Sequence, residues 1–404
     1  MDRIEGMALG VGGCRPEEAL AALRPMTEGV RPIAADEYRG RLEALQAAMR
    51  AQGVDACWLN AGSNLRYFTG LVWHPSERLV GALLPARGPL RYLAPWFEQG
   101  SIQERLVLDA PLLTWHEHES PYALLGRELP PGARLAVDAS TPFFVVDGLR
   151  AAGCAVESGA PCMAPLRMRK SAAELALMQR AFDMTLAVQR AAASVLREGI
   201  TTTEVQDFID AAHRRVSGAG SSFCIVLFGV ASSFPHGVSE PQVLQRGDVV
   251  LIDTGCYVQG YSSDLTRSYV YGRADEDVRR IWVVEKAAQA AAFAAARLGA
   301  PCSGVDAAAR AVLQAHGLGP GYALPGLPHR TGHGIGLDIH EGPYLVGGDD
   351  TPLVPGMCFS NEPMIVLPGR FGIRLEDHFH MGADGPRWFT PPSHSLDDPF
   401  GLAA

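Results

Sequence analysis

Two different folds in one chain are what the sequence predicts: an α/β domain at the amino end, then an α+β domain with a pseudo-twofold internal repeat. Three observations carry this. The 404 residues exceed the ~150 of an average domain. Helical and strand-like runs alternate through the first third, the pattern of an α/β domain. From residue 169 onward, two helices followed by a strand–turn–strand occur twice, which points to internal duplication.

With 47% hydrophobic and 20% charged residues, the chain can bury a sizeable core and is not a disordered polymer. Its 35 Lys and Arg against 44 Asp and Glu leave a net charge of −9. That balance argues against nucleic acid as a partner, because phosphates call for a basic face. No run approaches the ~18 apolar residues of a membrane span, so no membrane partner is expected. The eight cysteines form no Cys-x-x-Cys pair and read as reduced, buried small hydrophobes. The start, MDRIEGMALGVGGC, carries Asp2 and Glu5 and no apolar run before Cys14, unlike a lipoprotein leader. The expected location is cytoplasmic.

Residues 1–33 show no periodicity and are expected to form an irregular arm. The first domain is placed at 34–162. Leu42, Leu45 and Met49 recur at helical spacing within 38–52, and Gly53 closes that helix. Strands are expected at 56–59, 80–84, 90–93 and 135–137. A Pro-containing stretch then precedes the abrupt RMRKSAAEL, so 163–168 is read as a linker and 169–404 as the second domain. There Leu175, Met178, Phe182 and Leu186 share one face of a helix over 172–197. Thr201 and Glu204 make a capping box for a helix over 202–216. Strands and Gly-rich turns fill 223–272, helices follow at 276–297 and 303–316, and strands return over 330–381.

The two hairpins resemble one another, QRGDVVLIDTG…GYSSDLTRSY in the first half and LVPGMCFSNEP…FGIRLEDHFH in the second. Asp253 lies in the apolar run VVLID, with Asp264 eleven residues on; Glu362 lies in FSNEPMIV, with Glu376 fourteen residues on. Unpaired carboxylates inside apolar strands are costly and must be compensated. Salt bridges, with Arg267 and Arg374 available, are one compensation; a pair of divalent cations that neutralises all four acids is the other. His329, His333 and His340 crowd into HRTGHGIGLDIHEGP, where Gly332, Gly334 and Gly336 admit close backbone approach. Imidazole among carboxylates suits Mn, Co, Fe or Zn rather than all-oxygen Mg or Ca sites. No His-Glu-x-x-His helix is present.

Together these segments resemble the pita-bread, or creatinase-like, metallopeptidase family of prolidase, aminopeptidase P, methionine aminopeptidase and metal-free creatinase. ADEYRGRLEALQAAMRAQGVDACWLNAGSNLRYFTG resembles the amino-terminal domain of the prolidase and aminopeptidase P branch. The likeness thus covers the chain from residue 34 and argues against methionine aminopeptidases, which lack that domain. It implies a creatinase-like α/β domain ahead of a pita-bread catalytic domain.

Carried over by position, the resemblance implies Asp253, Asp264, His333, Glu362 and Glu376 as metal ligands, with Asp264 and Glu376 bridging. Two divalent ions per subunit are implied, manganese foremost, with zinc or cobalt as alternatives. All five ligands are present, so metal-free creatinase and histone-chaperone relatives do not fit. His236 matches a histidine that contacts substrate, and His340 one that holds the substrate carbonyl. Glu362 matches the acid that takes the proton of the attacking water. His329 matches a wall of the proline pocket, and Arg374 a basic group of the site. One departure is visible: the family's active-site tyrosine falls at Ser222, in SSFCIV.

The implied reaction is hydrolysis of the Xaa-Pro bond of dipeptides by a metal-bridged hydroxide, which gives proline-containing di- or short peptides as partners. The alternatives are an aminopeptidase P acting on longer Xaa-Pro peptides, a small-molecule lyase or hydrolase on the same scaffold, and a non-catalytic peptide-binding module. The intact ligand set counts against the last two. A homodimer is also implied, one subunit's amino-terminal domain capping the other's site. The run around Arg66, Trp73, His74 and Arg78 is either that cap or an ordinary strand–loop of its domain.

Overall fold

In a computed structural model of the protein, which describes residues 6–403, the chain divides into two units: Pro32–Arg167 and the remainder of the described residues. The first unit opens with a helix over Ala35–Gln52, whose buried face is Arg41, Leu45 and Met49. Gly53 ends it at φ 68°, the left-handed conformation that only glycine adopts without strain.

A six-stranded sheet follows, in the order Leu112–Trp115, Arg91–Pro95, Gly81–Pro85, Ala56–Asn60, Arg134–Val137, Ala155–Ser158. The three inner pairings are antiparallel, antiparallel and parallel; both outer pairings are parallel. The four strands expected from apolar runs lie inside the sheet, around a core that includes Trp58, Leu83, Leu93 and Leu135. The two edge strands are four residues each and half-buried, so their sequences carry no clear alternation. The segment read as a linker is different: Ala160–Arg167 is helical, with Pro165 inside it. Proline has no N–H to give the carbonyl four residues back. That carbonyl, of Pro161, instead accepts the Gln52 side-chain amide at 3.0 Å.

The second unit takes in residues 6–31 of the supposed arm. Pro16–Ala22 forms a helix with proline in its first turn beside Glu17 and Glu18, too short for periodicity to reveal. Leu9 N–H donates to Asp397 O at 2.7 Å and Met26 N–H to Val216 O at 2.8 Å, so the segment is tied down. The helix Ala172–Ser194 starts on a Ser171–Glu174 capping box and stops three residues short of the expected end. Thr202–Ser217 has the expected Thr201–Glu204 box. Helices Glu276–Ala295 and Cys302–Ala315 open the second half.

Each helix pair is followed by antiparallel strands. In the first half Val249–Gly255 lies between Leu265–Val270 and Phe223–Phe228. In the second the order is Glu341–Leu345, Gly332–Gly334, Cys358–Asn361, Asp377–Gly382, Gly385–Trp388. The second half is not a simple strand–turn–strand. Met364–Leu367 and Phe371–Arg374 make a hairpin of their own, and the flanking strands pair directly, Asn361 opposite Asp377. The two halves are stitched by a bridge between Thr266 and Glu376. Among the described residues no helix is long and apolar enough to cross a membrane.

Candidate metal centre

Asp253 belongs to a strand buried along its whole length and stands opposite Thr266 in the ladder. Its Oδ2 accepts Arg374 Nη2 at 2.5 Å, while Oδ1 is buried without a partner among the described residues. Asp264 enters from the other side of a two-residue turn at Gln259 and Gly260, and its Oδ1 is likewise unpartnered. Glu362 and Glu376 flank the Asn361–Asp377 pair, which brings them together although fourteen residues separate them. Thr266 donates to Glu376 Oε2 at 2.6 Å; Oε1 has no partner among the described residues.

His333 is held between two glycines for a steric reason. A Cβ on Gly332 would stand 2.1 Å from Ser360 O, and one on Gly334 would stand 2.5 Å from Glu341 O. The strands close in tightly, and His333 Nδ1 reaches Gly334 O at 2.9 Å. A carbonyl can only accept, so Nδ1 carries the proton, and Nε2 turns to Glu362 Oε1 at 3.2 Å and Asp264 Oδ2 at 3.8 Å. An imidazole lone pair aimed at two carboxylates is repulsive unless a proton or a cation lies between them.

The acids register the same crowding. Burial, then the charges of Glu376, Asp253 and Glu362, drive Asp264 well above the ordinary carboxylate range. Burial, then Glu362 and Asp253, does the same to Glu376. Burial also raises Asp253, with Arg374 pulling it back. For Glu362 burial is outweighed by the His333 hydrogen bond and by the nearby His333, His329 and Arg374, so it stays below the usual range. Orphaned oxygens on three acids beside an oriented imidazole suit divalent cations, which would convert the burial cost into ligation.

Ligand atoms of Asp264, His333, Glu376 and His378 lie within 4.8 Å of one another. His378 is the member that sequence reading passes over. It lies two residues from Glu376 as the chain enters the next strand, so strand alternation puts both on one face. Its ring packs on Phe182, centroids 4.9 Å apart.

Beside this cluster is a cavity of about 710 Å³ lined by His236, His329, His340, Glu362 and Arg374, together with Phe234, Pro235, Gly237, Pro328 and Arg330. All five sequence-derived catalytic and substrate-binding candidates therefore face one space. The His340 ring stands edge-on to His333, centroids 4.1 Å apart. Burial first, then the neighbouring His333 and Arg330, pushes His340 down to about 4. His329 Nδ1 donates to Arg330 O at 2.7 Å, and its Nε2 is buried without a partner among the described residues. Arg374 spends three donors on the protein: Asp253, Thr266 Oγ1 at 3.0 Å and Pro235 O at 3.0 Å. It thereby holds a metal-ligand candidate and the loop that carries His236. At the position of the missing tyrosine, the Ser222 hydroxyl is buried with no partner among the described residues.

In the first unit Trp73, His74 and Arg78 line a separate hollow of about 600 Å³. Arg105 lies 5.5 Å over the Trp73 ring, and Arg78 pairs with Glu117 at 3.0 Å.

Comparison with known proteins gives two family matches: metallopeptidase family M24 over residues 176–383 and the creatinase/prolidase N-terminal domain over 41–169. A protein named "Probable dipeptidase PepE" from Mycobacterium tuberculosis is 34% identical over 362 residues, 88% of this chain and 95% of that one. The crystal structure of dipeptidase PepE from Mycobacterium ulcerans aligns with TM-score 0.84 at 34% identity, covering 91% of this chain and 99% of that one. A recombinant prolidase from Thermococcus sibiricus aligns with TM-score 0.80 at 29% identity, covering 88% and 97%.

Proposed function

The chain belongs to metallopeptidase family M24, and on that premise we propose that it is an Xaa-Pro dipeptidase working with two divalent cations. It is built as a creatinase-like amino-terminal domain and a pita-bread catalytic domain. The observation that supports the activity most directly is the meeting of Asp253, Asp264, His333, Glu362 and Glu376 next to the cavity that holds His236, His329 and His340. Relatives named dipeptidase and prolidase support the substrate class.

Those five side chains would hold the ions, and the mixed imidazole and carboxylate set suits manganese, with zinc or cobalt next. When bound, the ions supply Lewis acidity, which activates water for attack and polarises the scissile carbonyl. His340, neutral above its value of about 4, donates an N–H to the carbonyl oxygen as negative charge grows there. Glu362 uses Oε1 towards His333 and Ser360, which leaves Oε2 to take the proton of the attacking water and pass it to the leaving nitrogen. His236 steadies the tetrahedral intermediate from the loop that Arg374 holds through Pro235. An Xaa-Pro amide has no N–H, so recognition rests on shape, and the His329 side of the cavity is the wall offered to the proline ring. Eight free cysteines support a reducing, cytoplasmic setting. A homodimer belongs to the same reading.

The test is hydrolysis of Ala-Pro and Ala-Pro-Ala by manganese-loaded protein, with a chelator control. Cleavage of Ala-Pro that EDTA abolishes is the expected result. Preference for the tripeptide would make it an aminopeptidase, and turnover insensitive to chelation would overturn the metallopeptidase mechanism.

A further inference from the structure

Lys170 is a lysine in an interior position: 2% of its side chain is exposed, and its Nζ pairs with Glu341, whose side chain is 11% exposed. The two lie 171 positions apart in the chain. The lysine end is fixed. Its backbone N–H donates to Gly356 O at 2.7 Å, and the next residue, Ser171, caps the helix Ala172–Ser194. A Cβ on Gly356 would stand 3.0 Å from Lys170 O, so the backbone is gripped closely there. The glutamate end is fixed as well. Glu341 stands opposite Gly334 in the ladder, and a Cβ on Gly336 would come within 2.8 Å of its Oε1 and 2.9 Å of Lys170 Cε. The turn that joins His333 to His340 therefore closes directly over the ion pair.

Burying such a pair costs the desolvation of both ions, and apolar residues of equal volume are often as stable or more so. What a fixed pair supplies instead is placement. His340 directly precedes Glu341, at the point where the strand Glu341–Leu345 begins. One peptide unit separates the two side chains: Glu341 reaches Lys170, and His340 lines the cavity with His236 and Glu362. That unit is planar and rigid, so the anchor on Glu341 governs where the His340 ring is carried. Across the turn Gly336 O accepts Ser262 N–H at 2.8 Å, which ties the same turn to the segment that carries Asp264.

We propose that Lys170 is a positioning residue for the hydrolytic reaction: its ion pair with Glu341 holds His340 where its N–H meets the oxyanion that develops on the substrate carbonyl. This rests on the Xaa-Pro dipeptidase reading above and deepens it. Lys170 acts through His340 and takes no part in the chemistry itself.

The experiment measures kcat and KM for Ala-Pro, manganese Kd and Tm in wild type, Lys170→Met and the double variant Lys170→Met/Glu341→Gln. In Lys170→Met kcat should fall about 10- to 100-fold, the cost of an ångström-scale misplacement, with KM and manganese Kd within about twofold of wild type. That variant leaves Glu341 buried without its lysine and should melt earlier. The double variant removes the stranded charge, so Tm should recover while kcat stays low; it carries the test if the single variant does not fold. A pair that served stability alone would give a double variant with wild-type kcat. That result overturns the assignment, as does a loss expressed in KM alone. In a His340→Gln background Lys170→Met should lower kcat by no more than about twofold; a further fall of about tenfold would overturn the route through His340. All of these outcomes leave the peptidase reading standing. A wild type that cleaves no Xaa-Pro peptide overturns that reading, and the Lys170 assignment with it.

Discussion

The Thr266 hydroxyl donates to Glu376 Oε2 at 2.6 Å. Thr266 Oγ1 in turn accepts Arg374 Nε at 3.0 Å, and the Thr266 carbonyl accepts the Glu376 N–H at 3.1 Å. Thr266 also stands in register with Asp253. One residue in the first half therefore sets the position of acids from both halves.

Thr266→Val keeps the shape and β-branching but removes the donor to Glu376. Partners of this kind orient metal ligands, and their loss costs about 10- to 100-fold in affinity. Manganese titration of chelator-stripped protein should show weakening of that size, with Thr266→Ser close to wild type. An unchanged Kd would show that Glu376 is placed by packing alone.

Asp264 and Glu376 make metal-free stability depend on pH. Their folded pKa values are raised, by burial first and by neighbouring carboxylates second. A raised carboxyl contributes stability that is complete below its unfolded value of ~4 and is lost as pH climbs through the folded value. Metal-free protein should lose Tm from about pH 4 upward, and manganese should restore it at pH 7. Asp264→Asn should raise the metal-free Tm at pH 7 while abolishing both the manganese-induced rise and catalysis. A variant that melts below metal-free wild type would contradict the repulsion.

His340→Gln should lower kcat by about 100- to 1000-fold, the range seen when a donor to a developing oxyanion is removed, with manganese affinity kept. Because burial pushes His340 down to about 4, it stays neutral from pH 5 to 8 and should contribute no inflection to the wild-type rate profile there. A profile whose inflection in that range disappears in the variant would refute this assignment.

Glu285 lies in the middle of the helix Glu276–Ala295, and among the described residues neither carboxyl oxygen has a hydrogen-bond partner. Burial raises it well above the ordinary range, against the Leu375 backbone and the charges of Arg374 and Lys286, which lower it. The sign is again that of a raised carboxyl: harmless below its unfolded value and destabilising as pH rises. Glu285→Gln should be more stable than wild type at pH 8 by about 1–3 kcal/mol, with the gap closing near pH 4. Urea unfolding at three pH values measures it; a gap that does not vary with pH would mean the carboxyl is already satisfied.

Local chemistry was legible from the chain alone. Gly53 ends a helix because only glycine takes φ 68° there without strain, and the Thr201–Glu204 box starts one by satisfying neighbouring N–H groups. Such signals act within a few residues, as does the oddity of an acid inside VVLID. The helix at Pro16–Ala22 and the half-buried edge strands were not legible, because seven or four residues carry too little pattern.

Sequence by itself determined the two fold types, the helix starts and a set of acids and histidines too costly to bury singly. Only the tertiary structure decided how those groups are employed. Arg374 meets Asp253 across 121 positions of chain, His378 joins Asp264 and His333, and Lys170 reaches Glu341 across 171 positions. Such pairings arise from strand register and from glycines that let backbones touch. They are long-range outcomes of packing, which no local run of residues encodes.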